Sequence, residues 1–395
     1  MSFHMPMPFS RRLGRVKPSQ TQEVTLAAQR LRRQGVSVID LGAGEPDFQT
    51  PDHIGQAGIE AIQTGFTKYT ANAGIPELKD AVVERYLSDY NVRYGVDEAM
   101  ICAGGKQALF NVAMALFDSG DEVITHTPVW PTIPEQIKLA GANPIFVRTY
   151  AEERFRVVAE RILDAVTPRT KAIVLNSPCN PTGALIEEKE LEVIVQKTEE
   201  AGIWLVLDLC YERLLHDDAV SHNLPRVVDK ARDRVVLIGS ASKTYAMTGW
   251  RLGFGVMRPD LQVQISKLVT NSVSCTPPFI QKAGVKALKN GASSIIKMVG
   301  EFRDRRDFLV KELNQIPRIS CLNPHGAFYV FPNVKAFGKS SDEIEDYLLK
   351  EAGVALLSGT SFGKFGEGYL RISYANSIEN LTEACRRIRK ALNNL

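Results

Sequence analysis

The order of the segments predicts an α/β fold with a largely parallel sheet covered by helices on both faces, followed by a smaller α+β unit. Short β-rich runs alternate with helix-like segments up to about residue 291, and this alternation is typical of a doubly covered parallel sheet. From about residue 292 the order changes to one long helix, short strands and a last helix. The chain of 395 residues has room for two to three domains of ordinary size.

The individual elements follow from apolar runs and their spacing. In the segment 107–117, for example, the apolar side chains recur on one helical face, and Gly35 and Gly202 stand where helix C-caps are expected. The predicted helices cover 24–34, 54–64, 76–90, 107–117, 131–139, 187–201, 293–313 and 378–392. The predicted strands cover 36–41, 99–102, 122–125, 172–175, 203–207, 235–238, 327–331, 354–357 and 369–373.

These elements divide the chain into an arm and two domains. We expect an N-terminal arm over 1–21, a small domain built from 22–48 and 292–395, and a large domain over 49–291. In an open parallel sheet, ligands bind at the carboxyl ends of the strands, so we expect the ligand-binding residues just after the strands of the large domain.

Composition excludes several classes of protein but names no activity. Hydrophobic residues make up 44% and charged residues 24%, as in ordinary folded domains. The net charge of +3 predicts neither a nucleic-acid surface nor a polybasic membrane anchor. The six cysteines are scattered without a C-x-x-C pair, which predicts reduced thiols, a cytoplasmic location and no metal site. No apolar run is long enough for a signal-peptide core or a membrane span.

Chemically useful side chains follow four of the predicted strands. Gly104-Gly105-Lys106 comes after 99–102, and glycines at a strand-to-helix turn can present backbone N–H groups to a phosphate. Asn180 lies in the turn after 172–175, and Asp208 ends an all-apolar strand, where a carboxylate is costly without a cation or donor. Each feature also has a purely structural explanation, as an ordinary turn or a buried helix cap.

The fourth strand end carries the most specific group. Ser240, Ser242 and Lys243 follow 235–238, and Arg251 comes shortly after them. Two hydroxyls and a guanidinium are the donors that a phosphate dianion needs. A lysine placed among them, with its pKa lowered by burial and a neighbouring cation, suits a Schiff-base amine. Lysines are usually solvated, so it is the conjunction of the four strand ends that indicates a site.

These residues resemble the class I aminotransferases, which are pyridoxal-phosphate enzymes of fold type I. The likeness spans nearly the whole chain, and its bacterial aspartate aminotransferase branch is the most similar. The resemblance implies a mostly parallel seven-stranded sheet with helices on both faces, plus a smaller α+β domain. The motifs that carry it are Asn-Pro-x-Gly at 180–183, Asp-x-x-Tyr at 208–211, Ser-x-Ser-Lys at 240–243, Gly-Trp-Arg at 249–251, Gly-Gly-Lys-Gln-Ala-Leu at 104–109 and Leu-Arg-Ile-Ser at 370–373.

The resemblance further implies that the protein is a transaminase with bound pyridoxal 5′-phosphate. Lys243 would hold the cofactor covalently and then move a proton at the substrate, Asp208 would keep the pyridine nitrogen protonated, and Tyr211 would hydrogen-bond the 3′-oxygen. Trp130, which by itself would be interpreted as a core residue, would stack on the ring. The cofactor-binding residues that it implies are Tyr69, Gly105, Lys106, Trp130, Asn180, Asp208, Tyr211, Ser240, Ser242, Lys243 and Arg251.

Substrates and a partner subunit are implied in the same way. Arg371 would clamp the α-carboxylate of an amino acid or 2-oxo acid, helped by Asn180 and the Gly42 backbone, beside Trp130. Tyr69 would reach the phosphate of the neighbouring subunit, so a homodimer with shared active sites is expected.

The sequence departs from the family pattern at two places. Leu209 stands where this branch usually has glutamate, and 271–275 supplies no arginine for a distal carboxylate. Lys106, Ser19 and Thr21 are available for that carboxylate, so aspartate or glutamate is the favoured donor. Alanine, aromatic or sulfur amino acids would fit if Lys106 points elsewhere.

Parts of the sequence also bear on three other functions. The same cofactor could serve a carbon–sulfur β-lyase. Gly42-Ala43-Gly44 could open a dinucleotide-binding turn, but Asp47 stands where the third glycine belongs. A non-catalytic regulator would need a nucleic-acid-reading domain, for which the sequence gives no sign.

Overall fold

A computed structural model describes residues 9–18, 20–216 and 221–395 of the chain. Part of the predicted N-terminal arm, residues 1–8 and 19, lies outside them. The helices are α1 (Gln20–Arg33), α2 (Asp52–Gln63), α3 (Pro76–Tyr90), α4 (Gly105–Leu116), α5 (Thr132–Leu139), α6 (Ala159–Asp164), α7 (Glu188–Ala201), α8 (Leu224–Val228), α9 (Ala241–Thr244), α10 (Pro259–Thr270), α11 (Pro278–Asn290), α12 (Ala292–Asn314), α13 (Ser341–Tyr347) and α14 (Ile378–Leu392). The strands are β1 (Ile39–Asp40), β2 (Ala99–Cys102), β3 (Glu122–Thr127), β4 (Asn143–Arg148), β5 (Thr170–Asn176), β6 (Trp204–Asp208), β7 (Val235–Ser240), β8 (Gly253–Val256), β9 (Tyr329–Val330), β10 (Val354–Ala355), β11 (Leu357–Ser358) and β12 (Leu370–Ser373).

Seven strands form the central sheet in the order β2-β8-β7-β6-β5-β3-β4. The pairs from β7 to β4 are parallel, whereas β8 runs antiparallel to both of its neighbours. The prediction of a mostly parallel seven-stranded sheet is therefore confirmed. Its central strands are buried on both faces, which explains why their sequences are almost wholly apolar.

Two of the seven strands were not predicted from the sequence. β4 contains Pro144 and has no buried residue, because it lies at the edge of the sheet. β8 has the sequence Gly-Phe-Gly-Val, in which two glycines interrupt the run of apolar side chains. Helices α10 and α11, between β8 and α12, were also not predicted.

The remaining strands form two small sheets. β11, β12 and β9 pair antiparallel, while β1 pairs with β10 in parallel. The N-terminal strand thus joins the C-terminal part of the chain, as the proposed small domain requires. Helix α14 begins at its N-cap Ser377, whose side chain accepts a hydrogen bond from the Asn380 N–H group, and it buries Leu381, Ala384 and Ile388.

Separate apolar clusters form the core. One includes Leu207, Leu237 and Phe254 around the central sheet, and another includes Leu41, Phe302 and Ile372 under the small sheets. Complete burial of each such side chain stabilises the fold by about 1.5–3 kcal/mol. The predicted boundary near residue 292 coincides with the start of α12, and the division into domains remains a prediction that these clusters support. Among the described residues, no helix is long and apolar enough to cross a bilayer.

Candidate active site

The carboxyl ends of three adjacent strands bring polar side chains to one edge of the central sheet. β5 ends at Asn176 and β6 at Asp208, and these two residues pair in the parallel register. β7 ends at Ser240, which caps helix α9 by accepting a hydrogen bond from the Ser242 N–H group at 3.1 Å. The strand ends therefore place an acid, an amide and hydroxyls side by side.

Lys243 lies in α9, directly after this edge, and its amine is turned inward. Its Nζ atom donates a hydrogen bond to the Gly44 carbonyl oxygen at 2.5 Å. The pKa of Lys243 is lowered from 10.5 to about 8, mainly by burial and also by the charges of Arg371 and Arg251, whereas Cys210 and Glu45 act in the opposite direction. A partly buried amine with such a pKa is a competent nucleophile and proton acceptor near neutral pH.

Asp208 is a buried carboxylic acid with few protein donors. Its Oδ1 atom accepts a hydrogen bond from the Cys210 N–H group at 3.1 Å, and only 2% of the residue is exposed. Burial raises the pKa of Asp208, and the charge of Lys243 partly offsets this. A buried acid of this kind is stabilised as an anion when it receives a cationic N–H donor.

The start of α4 forms a cradle for an anion. The first N–H groups of a helix have no intrahelical acceptor, and the helix dipole favours negative charge at this end. Gly104, at φ 92°, turns the chain into the helix that Gly105 begins. A Cβ atom on Gly105 would lie 2.7 Å from the Cys210 Sγ atom and 3.3 Å from the Ser240 Cβ atom, so this turn packs directly against the ends of β6 and β7.

Arg251 adds a cation to the cradle. Its Nη1 atom donates to the Thr248 carbonyl oxygen at 2.9 Å, and a Cβ atom on Gly104 would lie 2.6 Å from its Nη2 atom. The guanidinium therefore lies directly against the glycine turn. With Ser240 and Ser242, these groups give a phosphate the hydroxyl, backbone and guanidinium donors that it requires.

Arg371, on β12, is almost completely buried and is held in a fixed orientation. Its Nη1 atom donates to the Asn180 Oδ1 atom at 3.3 Å, and its Nη2 atom donates to the Gly42 carbonyl oxygen. The guanidinium carbon lies 4.3 Å from the centre of the Tyr329 ring and 5.2 Å from that of Phe362. The buried Nε atom has no hydrogen-bond partner among the described residues. A buried guanidinium with an unsatisfied donor is suited to a carboxylate ligand.

Tyr211 and Tyr329 form a buried hydroxyl pair next to this arginine. Their oxygen atoms are 2.9 Å apart, and burial followed by the Tyr329 hydroxyl raises the pKa of Tyr211, while the charge of Arg371 lowers it. A phenol in this setting stays protonated and can donate a hydrogen bond to an oxygen atom of a ligand.

Trp130 and Lys106 lie together at the α4 end of the site. The Lys106 Nζ atom lies 5.0 Å from the centre of the Trp130 ring, a cation–π distance. Partial burial and the charge of Arg251 lower the pKa of Lys106. The Lys106 side chain is thus directed toward the predicted aromatic, on the same side of the site as Arg251.

Tyr69 is a predicted site residue that lies on the surface, apart from the buried site residues. It is 88% exposed, and it lies in the loop between α2 and α3. Ser19 and the side chain of Thr21, the predicted hydroxyls for a distal carboxylate, lie outside the described residues.

Several residues of the site were not singled out from the sequence. No pattern in the sequence marks Tyr329, the Gly44 carbonyl or Phe362 as a part of the site. Cys210 was also overlooked, although it follows Asp208 by two positions. Their contribution depends on where separate elements meet, and a single sequence does not show this.

An open groove of about 1160 Å³ is lined by Val129 and Pro131, on either side of Trp130 in the chain, and by Phe362, whose ring centre lies 5.2 Å from the Arg371 guanidinium carbon. It lies between the segment that precedes α1, helix α5 and the residues that follow β11, and much of its wall is apolar. Lining side chains include Phe110, Val129, Pro131, Phe362 and Phe365. Over residues 9–18, 20–216 and 221–395, no three His, Cys, Asp or Glu side chains cluster as a metal site requires.

Known proteins resemble this chain over almost its whole length. The family model for aminotransferase class I and II matches residues 36–388. A relative from Aquifex aeolicus, a probable aspartate/prephenate aminotransferase, is 42% identical, with 96% of this chain and 98% of the relative covered. The aspartate aminotransferase of Bacillus subtilis is 37% identical, with 97% and 98% covered. The structure of the Thermus thermophilus aspartate aminotransferase with maleate superposes with a TM-score of 0.93 at 37% identity, with 98% of this chain and 100% of that chain covered.

Proposed function

Because the chain belongs to the family of class I and II aminotransferases, it is a transaminase, and we propose that it moves an amino group from an acidic L-amino acid, aspartate above all, to a 2-oxo acid such as 2-oxoglutarate. We further propose that it does so with pyridoxal 5′-phosphate. The observation that carries the proposal is the position of Lys243, with its lowered pKa, between the anion cradle and the buried Arg371.

The residues of the site fit pyridoxal phosphate. The α4 turn, Ser240, Ser242 and Arg251 match its phosphate, and the buried acid Asp208 matches its pyridinium nitrogen. Asn180 and Tyr211 present donors for the 3′-oxygen, and Trp130 presents an aromatic face for the ring. When bound, the cofactor supplies an electron sink that makes the Cα–H bond of an amino acid labile.

Lys243 has two tasks in this proposal. Its amine would hold the cofactor covalently, and after release it would accept the proton from the substrate Cα atom and deliver it to the C4′ carbon of the cofactor. An amine with a pKa near 8 exchanges protons readily at physiological pH. The Gly44 carbonyl, which now accepts its hydrogen bond, keeps the amine directed into the site.

Arg371 binds the α-carboxylate of both substrates. Its contacts with Asn180 and Gly42 fix the guanidinium, so little side-chain entropy is lost when the carboxylate arrives. The distal carboxylate requires a second cation, and Lys106 is the candidate among the described residues next to Trp130. The maleate of the Thermus structure is a dicarboxylate, which supports acidic substrates for this chain.

The proposal includes a homodimer with shared active sites in the cytoplasm. Tyr69 is exposed on its own subunit, and we propose that it reaches the cofactor phosphate of the neighbouring one. All six cysteines are free thiols, which supports a reducing compartment.

A second candidate substrate is an amino acid with a bulky apolar side chain. The groove of about 1160 Å³, whose wall includes Val129, Phe110 and Phe362, has room for an aromatic ring. The name of the Aquifex relative pairs aspartate with prephenate, and this agrees with a site that accepts a bulky ring, although the prephenate ring itself carries a carboxylate.

The proposal is tested by half-reaction kinetics of the cofactor-loaded protein with a panel of L-amino acids. Aspartate and glutamate should convert the cofactor fastest, with release of the matching 2-oxo acid. A faster reaction with phenylalanine would support the second candidate. Sustained release of pyruvate and ammonia from cysteine without any 2-oxo acid would instead identify a β-lyase.

A further inference from the structure

Tyr329 lies between Tyr211 and Arg371, two residues with separate roles in the proposed reaction. It belongs to β9, and it pairs with Ser373 of β12 in an antiparallel register. Side chains two positions apart on a strand point to the same face of the sheet, so Arg371 shares that face with Ser373 and is a diagonal neighbour of Tyr329. The register of two short strands thus places the phenol ring beside the guanidinium.

The Tyr329 ring packs against the guanidinium of Arg371. The guanidinium carbon lies 4.3 Å from the ring centre, a cation–π distance. Tyr329 is completely buried and only 2% of Arg371 is exposed, so the contact is desolvated, and cation–π contacts are strongest in that setting. Together with the hydrogen bonds to Asn180 and Gly42, the ring limits the orientations that the guanidinium can adopt.

The Tyr329 hydroxyl is directed to Tyr211. The two phenol oxygens are 2.9 Å apart, and the two rings meet edge to face with their centres 5.9 Å apart. A Cβ atom on Gly44 would lie 3.4 Å from the Tyr329 oxygen, so the hydroxyl also lies against the segment that carries Gly44. Burial raises the pKa of both phenols, and each therefore keeps its one proton at neutral pH.

The number of protons sets the direction of this hydrogen bond when a ligand is present. A phenol donates one proton and accepts others through its oxygen. If Tyr211 donates its proton to the 3′-oxygen of the cofactor, its own oxygen can bond to Tyr329 only as an acceptor. Tyr329 is then the donor, and its donation polarises Tyr211 and strengthens the bond from Tyr211 to the ligand.

We propose that Tyr329 is a positioning residue with two separable tasks: its hydroxyl donates to Tyr211 and so commits the Tyr211 proton to the cofactor, and its ring holds Arg371 in place for the α-carboxylate. This inference rests on the proposed roles of Tyr211 and Arg371. Tyr329 acts through those two residues and not on the reacting atoms. One side chain therefore orients a cofactor donor and the substrate clamp together.

Tyr329→Phe tests the hydroxyl, because it keeps the ring and removes one oxygen atom. The readout is the pH at which the absorbance of the bound cofactor changes in the full-length, cofactor-loaded protein. A donor to the 3′-oxygen stabilises the form that has lost its proton, so a weaker donor should raise this midpoint. We expect a rise of about half a unit, because Tyr211 still donates but with less strength. An unchanged midpoint would overturn the role of the hydroxyl.

A double-mutant cycle shows whether the hydroxyl acts through Tyr211. Tyr211→Phe removes the donor itself and should raise the midpoint by more than Tyr329→Phe does. The double variant should show the shift of Tyr211→Phe alone, because no donor is left for Tyr329 to strengthen. Shifts that add would mean that Tyr329 affects the cofactor by another path, and they would contradict the proposal.

Tyr329→Leu tests the ring, because leucine fills part of the same buried volume without an aromatic face. The readout is the affinity of the loaded protein for maleate, measured by calorimetry. Maleate has two carboxylates but neither an amino nor an oxo group, so it binds without turnover. We expect Tyr329→Leu to weaken its binding by roughly threefold to thirtyfold and Tyr329→Phe to leave it unchanged. Equal affinities in the wild type and the leucine variant would overturn the role of the ring.

Tyr374→Phe is the matched control. Tyr374 is completely buried in the same apolar cluster as Tyr329, and its hydroxyl donates to the Ala327 carbonyl oxygen at 3.1 Å and lies 2.9 Å from the His216 Nε2 atom. This variant should lower the free energy of unfolding but change neither the absorbance midpoint nor the affinity for maleate. If it changes them as much as the Tyr329 variants do, the effect is general loosening of the cluster and the proposal fails.

Steady-state kinetics separate the two tasks. Tyr329→Phe should lower kcat at an unchanged KM, whereas Tyr329→Leu should also raise the KM of both substrates. The same change of KM in both variants would contradict the division of tasks. The absorbance and maleate measurements need no turnover, so a loaded protein with the expected shifts but no transaminase activity would refute the proposed function alone. Normal turnover with neither shift would refute this inference alone.

Discussion

The Nζ atom of Lys243 lies 2.5 Å from the carbonyl oxygen of Gly44, a residue 199 positions earlier in the chain. This hydrogen bond joins helix α9, which carries the proposed cofactor-binding lysine, to the segment between β1 and α2. The same segment supplies the Gly42 carbonyl oxygen to Arg371. One short stretch of backbone therefore orients both the proposed catalytic amine and the proposed carboxylate clamp.

The pKa of Lys243 predicts the pH dependence of cofactor capture by the cofactor-free protein. Only a neutral amine attacks an aldehyde, and burial lowers the pKa of Lys243 from 10.5 to about 8. The neutral fraction, and with it the capture rate, should therefore rise as the pH increases through about 8 and level off above it. Stopped-flow absorbance after mixing with pyridoxal phosphate measures this rate. A midpoint near the ordinary lysine value of 10.5 would contradict the assignment.

Gly104→Ala should weaken phosphate binding beyond the cost of backbone strain. Gly104 has φ 92°, and a Cβ atom there would lie 2.6 Å from the Arg251 Nη2 atom. Gly65→Ala is the control, because Gly65 has φ 77° but nothing within 4 Å of the added atom. Both variants should lose about 1–2 kcal/mol of folding stability. Titration with pyridoxal phosphate should show weaker binding for Gly104→Ala alone. Equal binding by both variants would contradict the proposal that the turn at the start of α4 binds the phosphate.

Arg371→Lys should raise the KM of both substrates, although the positive charge is retained. A lysine cannot reproduce the bidentate guanidinium contact or its packing between Tyr329 and Phe362. Loss of one charge-assisted hydrogen bond, about 1.5–3 kcal/mol, corresponds to a rise of roughly tenfold to a hundredfold. Steady-state kinetics with amino acid and 2-oxo acid varied in turn provide the measurement. A rise for only one of the two substrates would exclude a shared clamp.

Asp208→Asn should slow the half-reaction while the phosphate cradle still binds the cofactor. An amide cannot stabilise a protonated pyridine nitrogen as a carboxylate does, so we expect a loss of roughly tenfold to a hundredfold in rate from one buried ionic hydrogen bond. Single-turnover kinetics separate this rate from binding. If the variant kept the wild-type rate, Asp208 would be a buried helix cap with no part in the reaction.

Much of the fold was predictable because long apolar periodicities are local. Helix α3 and helix α14 end where the sequence indicates, and the largely buried strands β5, β6 and β7 stand out as apolar runs. The edge strand β4 and the glycine-rich β8 did not stand out, since neither is a continuous apolar run. Their place is set by neighbouring strands, and pairing of that kind depends on contacts far apart in the sequence.

The site was predictable where a rule links sequence to position. Asp208, Ser240 and Lys243 follow sheet strands, and ligands gather at those strand ends. Tyr329 and the Gly44 carbonyl contribute through contacts across 118 and 199 positions, to Tyr211 and Lys243 respectively. No spacing rule reaches that far.

The covalent attachment of the cofactor to Lys243 is the central claim, and borohydride reduction tests it most directly. The protein is loaded with pyridoxal phosphate, reduced, digested and mapped by mass spectrometry. We predict that the stable adduct lies on Lys243, and that Lys243→Ala forms none while still binding inorganic phosphate. An adduct on Lys106 or another lysine, or full transaminase turnover by Lys243→Ala, would contradict the account.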